Sequence, residues 1–90
     1  MNTPITVSVR MFGAFRKYHP GTLALEVPDG SSAAAIKEAV GATLRQTNPA
    51  FADDDLLGKS VLADNQRVLG SDERVHGAVA LAILPPVCGG

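Results

Sequence analysis

Cysteine is nearly missing from this chain. Cys88 is the only one, so no internal disulfide can form, and such usage fits a reducing compartment. Basic blocks are missing as well. Eight Lys and Arg stand against nine Asp and Glu, a formal net charge of −1, whereas phosphate-backbone binding needs clustered positive charge. The longest acidic run, Asp53-Asp54-Asp55, is too short for an interaction tail. It reads as a solvated loop with one residue capping a short helix. Long apolar runs are absent: Val79 to Leu84 falls far short of a bilayer span. The start, MNTPITVSVR, lacks the basic stretch and long apolar core of a signal peptide. A cytoplasmic protein is expected.

Several chemistries lack their residues. No P-loop spacing occurs, and the glycines form no GxGxxG set. HExxH, CxxC and clustered His and Cys at metal-ligand spacing are all missing. His19 and His76 are the only histidines, and both read as solvated loop residues. No bound metal or cofactor is therefore expected.

What is present suits one domain. Ninety residues bury roughly 60–68% of the surface of the unfolded chain, enough for one modest core. With 46% hydrophobic and 19% charged residues, the chain is globular rather than disordered. Ile5, Val7, Val9 and Met11 alternate with Thr6, Ser8 and Arg10, which is the period of a half-buried strand. Leu23, Leu25 and Val27 repeat the pattern until Pro28-Asp29-Gly30 stops it, so the two strands form a hairpin with a long connection. Ser31 or Ser32 supplies an N-cap for a helix whose stripe is Ile36, Val40 and Leu44, and Asn48-Pro49 ends it. Residues 50–59 are a loop or a short helical turn. Val61-Leu62-Ala63 and Arg67-Val68-Leu69 flank a polar turn and read as two short strands. Val79 to Leu84 is apolar on both faces, as in a central strand. One helix covering one face of a sheet gives an α+β two-layer domain.

The end of the sequence is Leu84-Pro85-Pro86-Val87-Cys88-Gly89-Gly90. Pro85 cannot donate to a ladder and Pro86 fixes its own φ, so pairing stops there. Residues 1–84 are read as the folded domain and 85–90 as a flexible diglycine tail. From Pro86 to Gly90 the tail reaches roughly 15–17 Å when extended, enough to enter a buried site on a partner. Glycines have the most backbone freedom to lose on ordering. That suits them to threading a narrow tunnel rather than to stabilising a domain. The chain has no phosphate-binding motif with which to activate its own carboxylate, so a second protein must do it.

These features together resemble the ubiquitin-like β-grasp sulfur carriers, and among them the small subunits of molybdopterin synthase. Phe12-Gly13-Ala14-Phe15-Arg16 is similar to the aromatic–small–x–x–Arg segment after the first strand. Val27-Pro28-Asp29-Gly30-Ser31-Ser32, Asn65-Gln66 and the Pro-Pro…Gly-Gly ending also match. The resemblance implies a β-grasp fold, a mixed sheet with one main helix packed on one face. It implies that Gly90 is adenylated by an E1-like enzyme, which uses ATP, and then becomes a thiocarboxylate fed by a sulfur donor protein. Gly89 would be the threading residue. A large catalytic subunit, in a heterotetramer, would receive the tail and pass the sulfur to a cyclic pyranopterin precursor. The chain would then be a sulfur-carrying subunit rather than a stand-alone catalyst.

For partner docking the resemblance singles out Phe12, Arg16, Val68 and Leu84, with Pro85, Pro86, Val87 and Cys88 along the tail. Phe12 and Val68 could instead be core and Arg16 a solvated charge, whereas Leu84 falls with Ala80 and Ala82 on the face opposite Val79, Leu81 and Ile83, an apolar outer face beside the tail. Two positions depart from the family pattern. Cys88 stands where a small residue is usual, and Gly77-Ala78 where Gly-Asp is frequent. Other acceptors stay open at this point: thiamine thiazole or cysteine pathways, attachment to protein lysines as a ubiquitin-like modifier, or a binding module with an incidental diglycine.

Overall fold

A computed structural model of the chain describes residues 3–51 and 54–85. Strand β1 (Pro4–Met11) pairs antiparallel with β2 (Thr22–Pro28) in the register Val7↔Leu25 and Val9↔Leu23. A five-residue 3-10 helix, Gly13–Lys17, occupies their connection. After β2 come β3 (Ser31–Ser32), helix α1 (Ala33–Thr47), helix α2 (Asp54–Lys59), β4 (Val61–Ala63), β5 (Arg74–Val75) and β6 (Val79–Leu84). The main sheet runs β2-β1-β6-β4, with β6 parallel to β1 and antiparallel to β4. Parallel neighbours need a long crossover, and α1 lies within it. This mixed sheet grasping one main helix is the ubiquitin-like β-grasp arrangement expected above.

Alternation decides the faces. Val7, Val9 and Met11 of β1, Leu23, Leu25 and Val27 of β2, and Leu81 and Ile83 of β6 are all buried. They form one core with Ile36, Val40 and Leu44 of α1. Each such side chain contributes about 1.5–3 kcal/mol on leaving water. Ser32 caps α1, its hydroxyl oxygen accepting from the Ala35 N–H at 3.2 Å. At the other end the Asn48 N–H donates to the Leu44 carbonyl at 2.8 Å. Lys37 reaches from α1 to the end of α2, donating to the Gly58 and Ser60 carbonyls at 3.1 and 3.0 Å. Ser60 is buried, and its hydroxyl donates to the Leu56 carbonyl at 2.6 Å. Among the described residues no buried side-chain polar atom lacks a partner.

The loop after β4 departs from the strand pair expected there. Residues 67–69 do not form a strand; a single bridge joins Ala63 to Val68. The Asp64 carboxylate accepts from the N–H groups of Gln66 and Arg67 at 2.8 and 2.9 Å. An aspartate that binds its own following backbone makes a turn in place of a ladder. The missing pairing is found elsewhere, as Ser31↔Val75 and Ser32↔Arg74 between β3 and β5. Both segments are two residues long, too short to show a period.

Candidate functional site

β1 and β6 run side by side and finish together. Their last pair is Met11↔Ile83, so Phe12 and Leu84 stand at the same end of the sheet, Leu84 still paired with Val61 of β4. The chain after β1 turns into the 3-10 helix, which Phe15, wholly buried, anchors to the core. The chain after β6 passes to Pro85. Gly13, at φ +58°, lies directly against the Pro85 ring: a Cβ on Gly13 would stand 2.6 Å from Pro85 Cγ. Only glycine enters this left-handed region without steric cost. The spot where the tail begins is therefore built from Phe12, Gly13, Leu84 and Pro85.

The sheet face turned away from α1 opens beside this spot. Ser8, Arg10, Ala80 and Ala82 point outward, and their register pairs are Ser8↔Ala80 and Arg10↔Ala82. Together with Phe12 and Ala63 they line a groove of about 370 Å³. Small side chains on neighbouring strands leave this groove shallow, and Arg10 and Asp64 are the charged residues that line it. Phe12 and Leu84 are half-buried, and the Arg10 guanidinium lies 5.3 Å from the centre of the Phe12 ring. Arg10 and Arg16 both line a smaller hollow of about 130 Å³ with Phe12.

Of the eight docking residues singled out from sequence, Phe12, Leu84 and Pro85 stand at the tail root, and Arg16 shares a hollow with Phe12. Val68 lies apart from Phe12, beyond β4 at the sheet edge. It is 51% exposed, so it is not core. It shares a second groove, of about 400 Å³, with Val61 and Lys37. Pro86, Val87, Cys88, Gly89 and Gly90 lie outside the described residues. Three contributors were not singled out from sequence. Arg10 had a readable signal, because it is the outward-facing strand residue two before Phe12. Val61 had the same kind of signal. Gly13 had a partial one as the small residue of the aromatic–small–x–x–Arg segment, but neither its φ nor its contact with Pro85 is written in the local pattern.

Electrostatics fix the loop bordering the outer face. The Arg67 guanidinium donates to both carboxylate oxygens of Glu73. This pairing, helped by the Gly70 N–H, holds the Glu73 carboxyl down at about 2. The two backbone N–H groups on Asp64 lower its pKa in the same direction. Among the described residues no group of three His, Cys, Asp or Glu is placed to hold a metal ion. The arrangement offers contact area, two guanidinium groups and a fixed point of departure for the tail. These are the means of docking and presenting a terminus.

Comparison with solved structures supports the fold. The chain is similar to small archaeal modifier protein 1 of Haloferax volcanii, with TM-score 0.67, 20% identity, and 92% of this chain and 99% of that one covered. It is similar to a Pyrococcus furiosus protein provisionally described as molybdopterin converting factor, subunit 1, with TM-score 0.65, 22% identity and coverage of 92% and 99%. It is also similar to the ubiquitin of Caldiarchaeum subterraneum, with TM-score 0.64, 16% identity and coverage of 98% and 100%. No curated protein is similar enough in sequence to match. The model of the ThiS family matches residues 9–90, nearly the whole length. The chain belongs to the ThiS family of ubiquitin-like sulfur carriers.

Proposed function

We propose that this carrier is the small subunit of a molybdopterin synthase, working in the cytoplasm. The observation that carries the reading is the family match running through Gly90, on a fold whose central strand leads straight into the Pro85–Gly90 segment. The Gly90 carboxylate attacks the α-phosphorus of ATP on an E1-like partner and pyrophosphate leaves. A donor protein delivers sulfide, which attacks the adenylate carbonyl; AMP leaves and the glycine ends as a thiocarboxylate. Gly89, without a side chain, passes through the partner's channel. A large catalytic subunit supplies the substrate pocket, and the two together form a heterotetramer. There the sulfur moves to a cyclic pyranopterin precursor, and Gly90 returns as a carboxylate. ATP is consumed by the activating partner, and no cofactor stays on the carrier. Phe12, Arg16, Leu84 and Pro85, with Val68 at the far edge and Pro86, Val87 and Cys88 along the tail, make the contacts. Pro-Pro before the diglycine favours a pterin acceptor over the thiazole or cysteine pathways.

A second reading, attachment to protein lysines, draws on the likeness to the Haloferax modifier and the Caldiarchaeum ubiquitin. The two readings part in one experiment. The carrier is expressed with candidate activating enzymes, then mixed with the large subunit and a pyranopterin precursor. Sulfur is expected in the pterin, and none when Gly90 is deleted. Higher-mass lysine conjugates in place of a sulfurated pterin would turn the reading to the modifier.

A further inference from the structure

We infer that Gly13 is a positioning residue for the tail: its bare Cα seats the Pro85 ring and so sets the direction in which residues 86–90 leave the sheet. The inference rests on the carrier reading above.

Three observations meet at this point. Gly13 sits at φ +58°, and a Cβ there would lie 2.6 Å from Pro85 Cγ and 3.4 Å from Cδ. The first distance is well inside van der Waals contact, so the ring occupies space that any other residue at 13 would fill. The glycine is itself held still. Phe15 is wholly buried two residues on, its N–H donates to the Phe12 carbonyl, and the Tyr18 N–H closes the turn on the Phe15 carbonyl at 3.0 Å. On the other side Pro85 follows Leu84, the last residue of β6. The ring has a fixed φ. Once it rests on Gly13, the first step of the tail is fixed from both sides. A terminus that must enter a partner's channel gains from a root aimed in advance, because fewer orientations are wasted at encounter.

The test uses Gly13→Asn, since asparagine tolerates the left-handed region and the new Cβ alone disturbs Pro85. The second variant, Gly77→Asn, puts the same residue at another left-handed glycine, φ +71°, where a Cβ meets nothing within 4 Å. A nitroxide on Cys88, the sole cysteine, reports tail direction through the backbone amides it broadens. Amide spectra of the unlabelled variants check that the fold is kept. Gly13→Asn is expected to change the set of broadened amides, and Gly77→Asn to leave it as in wild type. Thiocarboxylation by the activating enzyme at low carrier concentration should fall by about tenfold or more in Gly13→Asn, as a misdirected reacting group requires. The rate at saturating carrier should change far less, and Gly77→Asn should keep the wild-type rate in both conditions. An unchanged broadening pattern in Gly13→Asn overturns the inference, as does an equal rate loss in both variants. If the broadening responds but wild-type chain takes no sulfur, the seat stands and the carrier reading fails.

Discussion

At the scale of single residues, the clearest electrostatic event is the Arg67–Glu73 pair. The ordinary Glu value of 4.5 is lowered to about 2, first by the Arg67 hydrogen bonds and then by the Gly70 N–H. Because the folded value lies below the unfolded one, the pair's stabilisation is fully present above pH 4.5. It is lost as the pH falls toward about 2. Arg67→Ala should send the Glu73 carboxyl back up toward its ordinary range, leaving only the Gly70 contribution. A carbon-detected NMR titration of the Glu73 side chain reads this directly; a midpoint unmoved by the substitution would show that another group holds it down. The pair could not be read from sequence, because six positions separate its members across an irregular loop. Asp64 was legible in kind but not in effect. The run Asp64-Asn65-Gln66 announces a turn, yet nothing in it says that the carboxylate takes two backbone N–H groups and shortens the neighbouring strand to one bridge.

Among the elements, periodicity carried most of the information. β1, β2 and β6 alternate cleanly, and the Ile36-Val40-Leu44 stripe names the buried face of α1. Their bounds in the structure differ from the sequence reading by a residue or so at each end. What failed were the pieces too short for a period: β3 and β5 are two residues each and hold together by pairing with one another. α1 also depends on its first turn. Ser32 is the N-cap in the structure, where sequence allowed Ser31 or Ser32. Ser31 instead donates its hydroxyl to the Pro28 carbonyl at 2.6 Å. Ser32→Ala should therefore cost about 1 kcal/mol, seen as a lower urea midpoint with an unchanged slope. Ser31→Ala should leave the α1 amide exchange rates as they are. If the two substitutions acted alike on α1, the capping assignment would be wrong. Gly41, a weak helix former in the interior of α1, is a contact with α2: a Cβ there would meet Leu57 Cδ2 at 2.4 Å. Gly41→Val should overpack this junction and cost about 1–3 kcal/mol.

Over the whole molecule, helix and sheet divide the work. One sheet face is spent on the core, and the other is left to small residues, Ala80 and Ala82 of β6 beside Ser8 of β1. The sequence already showed Leu84 on that outer side with Ala80 and Ala82. That Phe12 and Leu84 stand at the same end of the sheet was not visible, because it depends on β1 and β6 lying parallel and adjacent although some seventy positions separate them. On the reading proposed above this face docks the large subunit, and it should be sensitive to bulk and insensitive for stability. Ala82→Arg, on a half-buried outward position, should weaken binding to the large subunit by about tenfold or more while unfolding stays within about 0.5 kcal/mol of wild type. Isothermal titration against the purified large subunit gives the first quantity and urea unfolding the second. Undiminished binding would move the contact surface elsewhere, to the groove at the β4 edge that Val61 and Val68 share.

The central claim is that Gly90 carries sulfur. It is tested most directly by the mass of the C-terminal peptide after the chain meets its activating enzyme, ATP and a sulfur donor. Replacement of one oxygen by sulfur is expected, confined to the peptide ending in Gly89-Gly90, absent without ATP and unchanged in extent by Cys88→Ala. A C-terminal peptide that keeps both oxygens under those conditions, or one whose added sulfur vanishes with Cys88, would contradict it.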